Sequence, residues 1–135
     1  MEVKVESKIG KLSSDSSRIY LFLSDCNNFQ QLATNDMIKD WQSDSDSCSF
    51  SVEKIGSVAL RIVERNPGEL IKFTIDNAQA ENTFLWVQLK NISPEDSRVK
   101  ITAKFEVNPF MSAIITKPVK KILDKVVDTL EGICK

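Results

Sequence analysis

The feature that most constrains this chain is a change of hydrophobic period near residue 108. From about residue 37 to 107, apolar residues alternate with polar ones in short runs separated by turn residues. From 108 to 135 they recur at 111, 114, 115, 119, 122, 123, 126, 127, 130 and 133, which is the spacing of one helix face. A meander of strands followed by one long amphipathic helix is an α+β pattern, because each apolar face must be buried against another element. Pro118 removes a helix hydrogen bond and crowds the preceding turn, so it is expected to kink the helix or divide it near Thr116 or Lys117, giving two segments of which the second is longer.

Before the meander, Val3, Val5 and Ile9 alternate with Lys4, Glu6 and Lys8, which predicts an opening strand over about 2–12. Ser13, Ser14, Asp15 and Ser16 offer N-cap side chains to a short helix carrying Ile19, Phe22 and Leu23. Residues 27–32 read as a second short helix with Phe29 and Leu32 on one face. Three hairpins follow. The first joins residues 38–42, with Trp41, to the run Cys48, Phe50, Val52 across the polar turn 43–46. The second joins 57–64 to Ile71, Phe73 and Ile75 through Asn66-Pro67-Gly68. The third joins 83–91 to 98–107 through Ser93-Pro94-Glu95-Asp96. The sum is a curved seven-stranded antiparallel sheet. No repeat or linker interrupts the chain, so residues 1–135 read as one domain.

Chemistry narrows by exclusion. There is no histidine, which removes mechanisms built on an imidazole base and His-rich metal sites. Asp40, Asp44 and Asp46 lack the glycine and distal glutamate of a calcium loop and read as a solvated turn, so no metal is expected. Gly10, Gly56, Gly68 and Gly132 are isolated, so no loop cradles a phosphate and no cofactor is implied. No catalytic constellation emerges. Eighteen basic and 19 acidic residues give a net charge of -1 without a dense basic block, which argues against nucleic acid as a partner. The basic segment 117–125 alternates with apolar residues as the solvated side of a helix does. Cys26, Cys48 and Cys134 are odd in number and scattered, as reduced thiols in a cytoplasm would be. Residues 1–20 lack the apolar run of a signal peptide, and nothing approaches the roughly 18 apolar residues of a membrane span. Cytoplasmic residence without membrane insertion is the expectation.

Short phrases, taken in their order and spacing, carry a resemblance: Lys8-Ile9-Gly10, Phe22-Leu23-Ser24-Asp25 with Asn28-Phe29, Lys39-Asp40-Trp41-Gln42, Leu85-Trp86-Val87-Gln88-Leu89, and Asn108-Pro109 before the helix. With the order strand, two short helices, six strands and long helix, the chain resembles the Bet v 1-like or START-like (SRPBCC, polyketide cyclase-like) superfamily over its whole length. It looks most like small bacterial members. The resemblance implies a helix-grip fold with a pocket between the concave sheet and the C-terminal helix, which relatives use for lipids, sterols, plant hormones, polyketides and flavonoids. Some relatives are enzymes and many are not.

On that reading, alternation brings Cys48, Phe50, Leu60, Ile62, Phe73 and Ile75 to the concave face, with Leu85, Val87, Ile101 and Phe105 beside them. They meet Met111, Ile114, Ile115, Val119, Ile122 and Leu123 of the helix, some closing the core and others lining the pocket. Trp41 is a lid over the core or a stacking platform in the pocket. Cys48 is a core or pocket-wall thiol. Arg61 is a solvated rim side chain or a cation projecting inward to a carboxylate ligand. If Leu85, Val87 and Leu89 face the helix, Trp86 lies on the convex side, where it anchors a homodimer or covers lysine stems. The expected function is binding or carriage of a hydrophobic small molecule, lipid-like or aromatic. The alternatives are a cyclase or dehydratase acting on such a molecule, and a protein-interaction module whose cavity is filled.

Overall fold

Period-two alternation becomes strand pairing throughout the computed structural model, which describes residues 1–32, 38–53, 55–78 and 80–133. The strands are β1 (Glu2–Glu6), β2 (Gly10–Leu12), β3 (Ile38–Ser43), β4 (Ser47–Val52), β5 (Gly56–Asn66), β6 (Leu70–Asn77), β7 (Ala80–Ser93) and β8 (Asp96–Glu106). They form an eight-stranded antiparallel sheet ordered β1-β8-β7-β6-β5-β4-β3, with β2 also paired to β8. Between β2 and β3 come helix α1 (Ser16–Leu23) and a 3-10 turn (Cys26–Gln31). Asp15 caps α1 by accepting from the Ser17 amide at 2.6 Å, and Asp25 caps the 3-10 turn by accepting from Asn27 at 2.9 Å. Helix α2 (Pro109–Ile133) closes the chain, capped by Asn108 Oδ1, which accepts from the Met111 amide at 2.8 Å. This is the helix-grip α+β architecture. Cys134 and the expected end of the last helix at Lys135 lie outside the described residues, as does the start of the meander at residue 37.

The opening strand departs from the expected single run. Ser7 donates its amide to Ile101 O at 2.8 Å, while its hydroxyl accepts from Ile101 N at 2.9 Å and donates to Lys8 O at 2.8 Å. A serine side chain thereby takes the place of a main-chain acceptor, the ladder breaks, and the buried phase shifts from Val3, Val5 and Ser7 to Gly10 and Leu12. Ile9, expected beside Val3 and Val5, is 67% exposed as a result. The break also raises the strand number from the expected seven to eight.

Helix α2 is likewise continuous across Pro118, not divided there. A proline inside a helix costs about 3 kcal/mol, whereas burying one large aliphatic side chain returns about 1.5–3 kcal/mol. Ile115 is buried before the proline, and Leu123, Val127 and Leu130 after it. Their combined burial outweighs the proline, so the helix runs on. It comes close to β1, β2 and β8 alone among the strands. Lys8 N donates to Asp124 at 2.7 Å, Lys11 N to Glu131 at 3.0 Å, and Lys120 Nζ to Glu6 O at 2.7 Å. Lys8 also pairs with Asp128. Among the described residues no helix is long and apolar enough to cross a membrane.

Candidate functional site

Because α2 is fastened to one side of the sheet and the other strands curve over it, an apolar cavity of about 200 Å³ remains between them. The strand alternation decides which side chains reach it. Phe50 and Val52 enter from β4, Val58 and Leu60 from β5, Phe73 and Ile75 from β6, Leu85 and Val87 from β7, and Ile101, Ala103 and Phe105 from β8. Helix α2 contributes Ile115, Val119, Ile122, Leu123, Val126 and Leu130, while Leu23, Phe29 and Leu32 close one end. The cavity is partly open, and Trp41, Phe50, Val58, Val119 and Ile122 are among its half-buried lining residues, with Ile38, Ile75, Leu85 and Val126.

Trp41 gets there through a bulge. The pairings Lys39 with Ser51 and Gln42 with Ser49 leave one extra residue on β3, and Asp40 takes up the irregularity at φ 57°. Aspartate tolerates this left-handed conformation better than most residues. Ile38 and Trp41, three apart, therefore both line the cavity. The indole N–H donates outward to Ser43 Oγ at 3.3 Å, and Ser43 donates in turn to Asn27 Oδ1 at 2.9 Å. The ring lies parallel to Phe50, with centroids 5.4 Å apart at 12°. Deeper in, Phe29 and Phe73 make a tilted pair at 5.7 Å.

The polar lining side chains are Asn77 and Thr83. Asn77 Nδ2 donates to Ile55 O at 3.1 Å and Ser57 O at 2.8 Å, and Thr83 Oγ1 donates to Glu81 O at 3.2 Å. Among the described residues, no charged side chain lines the cavity.

Four expected pocket residues stand elsewhere. Cys48 faces inward but is buried against Cys26, under the 3-10 turn. The two thiols hydrogen-bond to each other, which holds Cys26 below the ordinary thiol range and, together with burial, pushes Cys48 above it. Ile62 is buried in the closed core beside Phe73, its register partner. Met111 is half-buried against the core at the start of α2. Arg61 is exposed, paired in register with Ser47 and Thr74 on the face opposite Leu60 and Ile62, so it does not supply a cation to the cavity. Ile114, expected on the inner helix face, is exposed. Trp86 lies on the convex face with Phe84, 5.9 Å away, and Lys72 Nζ sits 4.6 Å over Phe84 and 5.6 Å over Trp86.

Sequence reasoning passed over lining residues whose signals were present. Val52 and Val58 extend alternations already read, and Val126 and Leu130 continue the helical stripe. Phe29 and Leu32 share the face noted for them, although the segment is a 3-10 turn. Asn77 follows Ile71, Phe73 and Ile75 at even spacing, but a polar residue at a strand end carries no signal that it points inward.

No protein-family model matches the sequence, and no curated protein matches it significantly. Solved structures match it over nearly its full length. A START superfamily protein from Mycobacterium smegmatis aligns with a TM-score of 0.72 at 16% identity, covering 98% of this chain and 96% of that one. XoxI from Bacillus cereus aligns at 0.74 and 11%, covering 98% and 94%. Norcoclaurine synthase from Thalictrum flavum, solved with dopamine and hydroxybenzaldehyde, aligns at 0.73 and 8%, covering 98% and 86%. At these identities the likeness shows the fold, which is Bet v 1-like and START-like.

Proposed function

We propose that this helix-grip protein binds or carries a hydrophobic small molecule in the cavity between its sheet and α2. The observation that carries the reading is the cavity itself: about 200 Å³, walled by aliphatic and aromatic side chains, and partly open to the surface. Concave apolar sites with a few placed polar groups are how proteins hold small ligands. Norcoclaurine synthase, of the same fold, holds two small aromatic molecules in its structure. Binding is favoured over catalysis because acid–base chemistry needs ionisable groups converging in the pocket, and the described lining residues offer none. The proposed setting is the cytoplasm, in keeping with the free buried thiols Cys26 and Cys48.

Native mass spectrometry of the protein purified from its own host, followed by organic extraction, tests the reading. A stoichiometric apolar adduct is the expected result. A clean apo mass, together with no thermal shift across fatty acids, sterols, aromatic polyketides and compact phenols, contradicts it.

A further inference from the structure

The cavity is not chemically uniform. Its aromatic side chains, Phe29, Trp41, Phe50, Phe73 and Phe105, come from the 3-10 turn and the sheet, whereas α2 contributes aliphatic chains only. The half-buried Trp41 and the half-buried Phe50 beside it lie with their rings parallel. Trp41 is held in that pose from outside, by the bulge at Asp40 and the chain of hydrogen bonds through Ser43 to Asn27. A flat aromatic surface supported in this way favours a planar ring, since aromatic pairs gain energy beyond the area they bury.

Size and charge narrow the occupant further. An apolar cavity of about 150 Å³ accommodates benzene. At about 200 Å³ this one has room to enclose a single substituted ring, whereas a long acyl chain or a sterol would extend out of it. An ionised group entering it would be stripped of water without meeting a cation among the described lining residues, and that desolvation is strongly unfavourable. Thr83 and Asn77 already direct donors to main-chain oxygens of the protein.

We infer that the cavity selects a compact, uncharged aromatic molecule and discriminates against ionised ligands of similar size. This rests on the pocket reading above and goes beyond it by naming the ligand class.

Isothermal titration calorimetry on the full chain separates the two levels, with para-ethylphenol, para-ethylbenzoate, ethylcyclohexanol and dodecanoate as probes. The expected order is para-ethylphenol tightest, with para-ethylbenzoate weaker by about tenfold or more, because one partly desolvated charge outweighs the equal ring. Ethylcyclohexanol binds more weakly than para-ethylphenol, and Trp41→Leu narrows that difference by weakening para-ethylphenol by the larger factor. A merely structural role for Trp41 would weaken both ligands alike. Equal or tighter binding of para-ethylbenzoate, or no preference for the aromatic ring over the saturated one, overturns the inference. Binding of dodecanoate without para-ethylphenol overturns it too, while sparing the pocket reading. Silence from all four probes overturns both.

Discussion

Gly10 stands where a side chain has no room. A Cβ built there would lie 2.5 Å from Val127 Cγ1 and 3.0 Å from Val99 Cγ1, so the hydrogen at this position is what lets α2 approach β2. Gly10→Ala should lower stability by about 1–3 kcal/mol, since overpacking displaces a fully buried valine or shifts the helix. Urea unfolding reads this as a lower midpoint at unchanged slope; an unaltered midpoint would mean that α2 is not seated as described. Other single residues set geometry in the same way. Ser7 replaces a ladder acceptor with its hydroxyl, and Asp40 absorbs the extra residue of β3. Neither was legible in the sequence, because a hydroxyl substituting for a carbonyl, or one residue slipping out of register, leaves the pattern of apolar letters nearly unchanged. The position of Cys48 was half legible. Alternation placed it inward, but nothing in the sequence told that Cys26, 22 positions earlier, would meet it.

At the scale of elements, alternation was a sound guide on strands that carry no extra residue, since the irregularities fall on β3, β5 and β7. Strands β4, β6 and β8 carry their apolar residues inward as read, because a one-residue slip would expose the whole set. The helical stripe of α2 was equally plain, and the error there lay in weighing Pro118 alone against burial summed along the helix. That weighing has a measurable corollary. Pro118→Ala restores an amide donor to the Ile114 carbonyl and substitutes the best helix former, so it should raise stability by about 1–3 kcal/mol and increase the helical circular dichroism. A lower melting temperature would instead show that the half-buried proline ring is a packed part of the structure whose loss outweighs the restored hydrogen bond.

At the scale of the molecule, the fold is shared with proteins at 8–16% identity because it depends on the order of periods and turns, which many sequences satisfy. The cavity follows from where α2 is anchored. Lys8, Lys11 and Lys120 tie the helix to the β1–β2 side, and the other strands curve over it without coming as close. Alternation told which face of each strand points inward, and most of the strand residues expected on that face do line the cavity. It did not tell which part of that face the 3-10 turn and α2 would cover, and that is why Ile62 and Cys48 belong to the closed core and Met111 packs half-buried against it, while Leu23, Phe29 and Leu32 reach the cavity. The central claim, that this space takes up an apolar guest, is tested most directly by benzene titration of methyl-labelled protein observed by NMR. The account predicts saturable shifts at Leu85, Val87, Ile101, Ile115, Val119 and Ile122, with the methyls of the packed Leu12 and the exposed Leu21 and Ile92 unmoved. No shifts, or shifts centred on Leu21 and Ile92, would contradict it.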